Sequence, residues 1–285
     1  MTFSNLIRRS SDELHFVLTN RIPRRSWTRL MGWFSQIEQP LVRDLSIGVW
    51  RRFADLQLDE AAKSEFRSLH DCFTRQLKPG ARPIDPDPGV LVSPCDGMVG
   101  GAGRIAGDQL IQAKGVSYTL EELLLDRQLA ALYRDGCYVT LRLTASMYHR
   151  FHAPYDCQME HLTYVAGDTW NTHPATLARV DKLYCKNERA ILRTRLGSGH
   201  QVTLVPVAAI LVASIRLHCL DVLLHLDHPG PNEFGLRADA KRGDELGWFQ
   251  HGSTIILFAP RGFELCGGIE PGARVKMGER LLRLP

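Results

Sequence analysis

The sequence has no C-x-x-C pair, although its 285 residues include seven cysteines. Neither a zinc finger nor a disulfide framework is indicated by this odd-numbered set, and a reducing compartment is expected. No apolar stretch approaches the roughly 20 residues that a membrane-spanning helix needs. The first nine residues also lack the pattern of a secretory signal, so the sequence predicts neither export by that route nor a transmembrane segment.

The net charge of the chain is also low, at +4 for 285 residues. Residues 1–53 nevertheless carry nine arginines against four acidic residues, together with Trp27, Trp33 and Trp50. Arginine-rich helices with aromatic residues are typical of proteins that bind an anionic membrane surface. A core-packed helix with a solvated basic face is an equally open interpretation. No nucleic-acid-binding motif accompanies the arginines, so no nucleic-acid partner is predicted.

A proline-rich segment, 82–89, divides the chain. Helical spacing before it predicts helices within 3–34, interrupted at Pro23, and over 41–53 and 59–77. Beyond it, short apolar runs between Gly and Pro predict strands, with one clear helix at 119–132. The expected fold class is α+β, with a helical portion (1–80) that is a candidate for membrane association and a β-rich catalytic or binding domain (89–285). The predicted strands are 90–92, 98–105, 109–113, 137–143, 159–165, 190–196, 201–207, 210–217, 254–258 and 274–275.

Three polar clusters interrupt the strands, and the first two contain Asp96 and a pair of histidines. Asp96 precedes Gly97, and because Asp-Gly is a common hairpin signal, a structural turn is the simpler interpretation. His149 and His152 follow the strand 137–143. A metal is not predicted, because no matching carboxylate or thiolate motif is present and Pro154 opposes a helix carrying both histidines. Acid–base chemistry is favoured, since histidine titrates near pH 6.5, and structural histidines stay an alternative.

The third cluster is the Gly252-Ser253 step before a β-branched strand. Alone, it fits ordinary turn chemistry. A serine hydroxyl becomes a good nucleophile only when a base takes its proton, and an aspartate behind a histidine stabilises the resulting imidazolium. The chain supplies Asp96, His152 and Ser253 for such a set. Glycine before the serine leaves its carbonyl carbon open to close approach.

Four segments, in this order, resemble the bacterial and mitochondrial type of phosphatidylserine decarboxylase. They are 92–97 (VSPCDG), 148–154 (YHRFHAP), 186–189 (KNER) and 241–258. Residues 73–85 and 112–115 are similar to further segments of that family, so the resemblance extends from about residue 20 to 260. The chain departs from the family pattern at His251, where leucine is usual, and at Cys95, where alanine is frequent. Cys95 is interpreted as a small buried thiol rather than a second nucleophile.

The resemblance implies that the protein cleaves itself. By similarity, Asp96 and His152 activate Ser253, whose oxygen attacks the carbonyl carbon of Gly252 and converts that peptide bond to an ester. Elimination then yields a β chain (1–252) and an α chain (253–285), which form a heterodimer. The α chain begins with a pyruvoyl group derived from Ser253, which is the implied cofactor.

By the same resemblance, the mature enzyme converts phosphatidylserine to phosphatidylethanolamine and CO2 through a Schiff base between the lipid amine and the pyruvoyl ketone. His149 is expected closest to decarboxylation, although either imidazole can donate the proton. The alternatives are a decarboxylase of another serine-bearing polar lipid and a non-catalytic membrane-binding β module. The expected location is peripheral, on the cytoplasmic face of a bacterial inner membrane, and a homo-oligomer stays open.

Overall fold

Two amphipathic helices begin the described part of the chain, α1 (Arg24–Ser35) and α2 (Pro40–Phe53). Gln39 caps α2 by accepting the Val42 N–H at 2.7 Å, and proline fits the first helical position because its N–H would have no partner there. Both helices confirm the predictions for 24–34 and 41–53, whereas the predicted helical segment before Pro23 lies outside the described residues. The computed structural model describes residues 23–113, 115–210, 214–225, 227–250 and 253–285, with the main chain alone at Ser253.

The predicted helix over 59–77 is wrong for most of its length. Only α3 (Leu69–Phe73) is helical, and it begins where the Ser68 hydroxyl caps the Asp71 N–H. Ala61 and Leu77 instead form an antiparallel bridge, so the segment turns back on itself with α3 near its middle. An extended backbone at both ends of the segment is incompatible with one continuous helix.

The predicted helix over 119–132 is divided into α4 (Leu120–Leu124) and α5 (Arg127–Leu132). The division falls at Leu125, whose φ of 53° lies in the left-handed region. Asp126 then caps α5 by accepting the N–H groups of its second and third residues. Two shorter helices follow, α6 (Pro174–Leu177) and α7 (Leu183–Lys186).

Antiparallel strands make up most of the remaining structure and, with the helices, confirm the predicted α+β class. The strands are β1 (Val90–Val92), β2 (Gly97–Arg104), β3 (Gln109–Ala113), β4 (Val116–Thr119), β5 (Cys137–Leu143), β6 (Arg150–His152), β7 (Cys157–Val165), β8 (Arg189–Leu196), β9 (Gln201–Ala208), β10 (Ser214–Leu217), β11 (Leu223–His225), β12 (Glu233–Ala240), β13 (Glu245–Phe249), β14 (Ser253–Ala259), β15 (Glu264–Leu265), β16 (Arg274–Val275) and β17 (Arg280–Arg283). An eight-stranded sheet has the order β12-β7-β8-β9-β14-β5-β2-β16, and a four-stranded sheet has the order β11-β10-β13-β6. A third sheet is ordered β1-β17-β15, and β3 pairs with β4.

Strand β14 lies in the interior of the large sheet, paired with β5 on one side and β9 on the other. Its side chains alternate between two hydrophobic cores. Ile255 and Leu257 belong to the core beneath the four-stranded sheet, which also contains Ile215 and Phe249. Ile256 and Phe258 lie on the opposite face. Both faces of β14 are therefore buried, which explains its continuous apolar sequence.

The chain passes from the four-stranded sheet to the eight-stranded sheet between β13 and β14. Gln250 is still tied to β10 of the four-stranded sheet, since its N–H donates to the Ser214 carbonyl at 3.2 Å. Ser253 already pairs with Leu143 and Ala208 of the large sheet. The Gly252-Ser253 step thus lies on one of the connections between the four-stranded and eight-stranded sheets.

Candidate active site

Asp96 occupies the turn between β1 and β2 and is buried. Its carboxylate accepts hydrogen bonds from Arg82 Nε at 2.8 Å and Nη2 at 2.5 Å, and from the Met277 N–H at 2.9 Å. Arg82 also forms an ion pair with Glu60 at 2.9 Å. Because Met277 belongs to the segment after Ser253, Asp96 joins the two parts of the chain that flank the predicted cleavage point.

His152, on β6, is also buried. Its Nδ1 lies 2.9 Å from the Gly243 carbonyl oxygen, which can only accept, so Nδ1 carries the proton. In the neutral ring, Nε2 is then the acceptor and receives the Tyr148 hydroxyl at 3.0 Å. Burial lowers the pKa of His152, although the Gly243 carbonyl and the Glu245 and Asp96 carboxylates oppose this effect. The neutral, proton-accepting ring is therefore favoured at neutral pH.

His149 is fully buried just before β6. Its Nδ1 donates to the Met147 carbonyl oxygen at 2.8 Å, and its own carbonyl accepts the Phe249 N–H at 3.0 Å. The ring packs on Phe73, with centroids 3.9 Å apart, and Phe73 in turn stacks on Trp50 of α2. His149 consequently links the strand before the Gly252-Ser253 step to the N-terminal helices.

The structure brings the strands of these residues together without showing every predicted contact. Strand β6 pairs with β13, which leads to the Gly252-Ser253 step. His251, Gly252 and the side chain of Ser253 lie outside the described residues. Asp96 is engaged by Arg82 and Met277 rather than by His152.

Sequence reasoning assigned no function to Arg82 or Asn187. Arg82 falls in the proline-rich segment that divides the chain, yet it is buried against Asp96. Asn187 donates to the Ala208 carbonyl at 2.9 Å and to the Trp170 carbonyl at 2.8 Å. Ala208 pairs with Ser253, so Asn187 is a positioning residue for the start of β14. The sequence feature that could have identified Asn187 is its place in the KNER segment, 186–189.

Cys95 is completely buried beside Asp96. Burial raises the pKa of its thiol, and the neighbouring Asp96 carboxylate raises it further. A thiol with a raised pKa is a weak nucleophile, because the thiolate is the reactive form. This environment fits the interpretation of Cys95 as a packing residue.

An apolar groove of about 640 Å³ lies between α1 and α2 and extends to Phe73, the residue that packs on His149. Several large apolar side chains on these helices are exposed. None of the helices among the described residues is long and apolar enough to cross a membrane. Nor do the described residues contain a cluster of three or more His, Cys, Asp or Glu side chains suited to hold a metal. The groove is lined by Met31, Phe34, Val42, Leu45, Ser46, Val49, Trp50, Leu69, Phe73 and Ala145.

Comparison with known proteins gives a consistent result. A family model described as phosphatidylserine decarboxylase matches residues 69–283. A phosphatidylserine decarboxylase proenzyme from Dickeya dadantii is 34% identical over 283 residues, covering 95% of this chain and 92% of that protein. One from Halorhodospira halophila is 35% identical over 285 residues, covering 96% and 95%. The chain belongs to the phosphatidylserine decarboxylase family, which confirms the resemblance found in the sequence.

Proposed function

We propose that this protein is a self-processing, pyruvoyl-dependent decarboxylase that converts phosphatidylserine to phosphatidylethanolamine and CO2. One observation carries the assignment within the family. The Gly252-Ser253 step connects two sheets, and the strand that precedes it lies beside the strand that holds His152. Cleavage there leaves a β chain (1–252) and an α chain (253–285).

The surroundings of residue 253 fit a group formed within the chain at that position. Its main chain pairs on both sides, with Leu143 and Ala208, and Asn187 holds Ala208 in place. Conversion of Ser253 to a pyruvoyl group removes its amide nitrogen, so its position is then held through Thr254 and the rest of β14, which stay paired with β5 and β9. A pyruvoyl group there supplies the electron-withdrawing ketone that decarboxylation of an amino acid headgroup requires.

In the proposed maturation, neutral His152 accepts the Ser253 hydroxyl proton at Nε2, after the Tyr148 hydroxyl has moved from that nitrogen. Asp96 stabilises the resulting imidazolium through its negative charge, since its hydrogen bonds go to Arg82 and Met277. His149 donates from Nδ1 to the Met147 carbonyl, so Nε2 is the ring nitrogen proposed to transfer a proton during decarboxylation.

The helical portion (1–80) is proposed to hold the β-rich catalytic domain (89–285) on a membrane that contains anionic lipid. Apolar side chains of α1 and α2 enter the interface while arginines meet phosphates, as interfacial helices do. Phosphatidylserine is both substrate and anionic lipid. The proposed location is peripheral, on the cytoplasmic face of a bacterial inner membrane.

Intact mass measurement and a denaturing gel of the purified protein test the proposal. Two pieces divided before residue 253 are expected, and the smaller one should resist N-terminal sequencing and react with hydroxylamine. The matched control is Ser253→Ala, which should stay uncut and release no CO2 from phosphatidylserine. An uncut wild-type chain that still releases CO2 would refute the pyruvoyl mechanism.

A further inference from the structure

Glu188 is a fully buried acidic residue that has no role in the proposed self-cleavage. It precedes β8 and has 0% exposure. Among the described residues neither carboxyl oxygen has a partner at ordinary hydrogen-bond distance, and the neighbouring Tyr164 hydroxyl donates to the His225 carbonyl instead. Burying a polar group without a partner costs about 1–3 kcal/mol. Such a group in a family of enzymes points to a ligand that supplies the missing partner.

The position of Glu188 in the sheet places it near residue 253. Arg189 pairs with Val207 and directs its guanidinium to the Leu123 and Cys185 carbonyls on one face. Successive residues of an extended chain alternate between faces, so Glu188 belongs to the face covered by the four-stranded sheet. The Glu188 carbonyl also accepts the Ala208 N–H at 2.8 Å.

Ala208 is the residue that pairs with Ser253. Glu188 and Ser253 are thus separated by one strand, and their Cα atoms lie about 10 Å apart at the usual strand spacing. A glutamate side chain and a small headgroup together span that distance. A ligand amine placed between them contacts the carboxyl group on one side and residue 253 on the other.

The charged and titratable groups that act on Glu188 come from α1, from β7 and from the loop after β11. Burial raises the pKa of Glu188 to about 8, while the Tyr164 hydroxyl and the Arg25 guanidinium act in the opposite direction and Asp227 acts in the same direction. Tyr164 donates its own proton to the His225 carbonyl at 2.7 Å. Asp227 is paired with Arg29 of α1 at 2.6 Å.

We propose that Glu188 binds the primary amine of the lipid headgroup as a carboxylate–ammonium ion pair and thereby positions that amine beside residue 253. This inference rests on the proposed function. Phosphate and carboxylate groups of the headgroup are anionic, so the ammonium is the part that complements a buried carboxylate. On binding, the Glu188 carboxyl group releases its proton to solvent and the ammonium keeps its own protons.

Titration calorimetry with short-chain phosphatidylethanolamine tests this assignment, with phosphatidylcholine of the same chain length as a ligand that has no N–H. Measurements in two buffers of different ionisation enthalpy give the protons exchanged. At pH 7, wild-type protein should release close to one proton per bound phosphatidylethanolamine, and the release should fall below one half above pH 8. Phosphatidylcholine should release none.

Glu188→Gln reproduces the shape of the protonated acid and removes its titration. We expect at least tenfold weaker binding of phosphatidylethanolamine, no proton release and unchanged binding of phosphatidylcholine. Repeating the titration in Ser253→Ala, where no ketone forms, should preserve the proton release and so separate the ion pair from condensation. Equal phosphatidylethanolamine affinity in wild type and Glu188→Gln would overturn the inference.

Absence of proton release from wild type at pH 7 would also overturn it, whether or not the Glu188→Gln variant folds. Self-cleavage on a denaturing gel reports the variant's folding. If the wild-type chain is cut and active but releases no proton on binding phosphatidylethanolamine, and Glu188→Gln binds that lipid equally well, the proposed function stands and only the role of Glu188 is refuted. An uncut, inactive wild-type chain removes the proposed function instead.

Discussion

Asp96 and His152 hold their hydrogen bonds with different partners. Asp96 accepts from Arg82 and the Met277 amide, whereas the His152 ring contacts Tyr148 and Gly243. The charge of Asp96 nevertheless raises the pKa of His152, in opposition to burial. Asp96 therefore has two effects, one on the electrostatics of the histidine and one on the folding of the chain around Arg82.

The folding effect can be measured separately from catalysis in the uncut Ser253→Ala background. Adding Asp96→Ala should lower the free energy of unfolding by about 3 kcal/mol, because Arg82 loses its best-buried partner. Urea denaturation measures this loss. As a matched control, Asp221→Ala removes a fully exposed partner of Arg216 and should change stability by less than about 0.5 kcal/mol. Equal effects of the two substitutions would contradict the structural role of Asp96.

The lowered pKa of His152 gives a pH dependence for maturation. In the proposed maturation the neutral ring of His152 is the base, so the self-cleavage rate should fall only as pH drops below the ordinary histidine pKa of about 6.5, and stay level from pH 7 to 8. A pulse-labelled chain followed on denaturing gels measures this rate. A rate that still rises between pH 7 and 8 would indicate a base with a higher pKa.

The same shift affects stability. The unfolded chain binds a proton at His152 more readily than the folded chain does, so this contribution is complete above pH 6.5 and is lost as pH falls from there through the folded pKa. His152→Gln in the Ser253→Ala background removes that contribution. The difference in free energy of unfolding between Ser253→Ala and the double variant, measured by urea denaturation, should change as pH falls below 6.5 and stay constant above pH 7.

The elements differ in how clearly the sequence encodes them. Strand β5 was predicted with its observed bounds and β14 within one residue at each end, because both are buried apolar runs. Strand β6 was missed, since its three residues include an arginine and a histidine fixed by the site rather than by apolar alternation. The resemblance named His149, His152 and Asp96, but the proline-rich context of Arg82 concealed its ion pair.

Helices α1 and α2 expose the apolar side chains that membrane binding requires, with Trp33 65% and Phe53 86% exposed. The double substitution Trp33→Ser and Phe53→Ser should reduce flotation with vesicles that contain phosphatidylserine by at least fivefold. Ile111→Ser is the matched control, because Ile111 is 61% exposed on β3, and it should not change flotation. Equal flotation of all three proteins would contradict docking through these helices.

On the scale of the whole molecule, the segment after Ser253 is distributed through the fold. Strand β14 pairs with β5 and β9, β16 pairs with β2, and β17 pairs with β1. Every one of those partner strands precedes residue 253. Cleavage at the Gly252-Ser253 step would therefore remove one of the covalent connections between the two sheets, while the pairing of β14, β16 and β17 with strands of the β chain holds the pieces together.

The two chains should accordingly behave as one particle after cleavage. Residues 253–285 contribute buried side chains such as Ile255, Leu257 and Leu282, each of which adds about 1.5–3 kcal/mol of burial. Size-exclusion chromatography in native buffer should elute both pieces together, at the volume of uncut Ser253→Ala, and urea should separate them in a single transition. If the small chain eluted alone in native buffer, the strand pairing between the two chains would be insufficient to hold the mature site, and the ketone at residue 253 would lose its partners on the β chain.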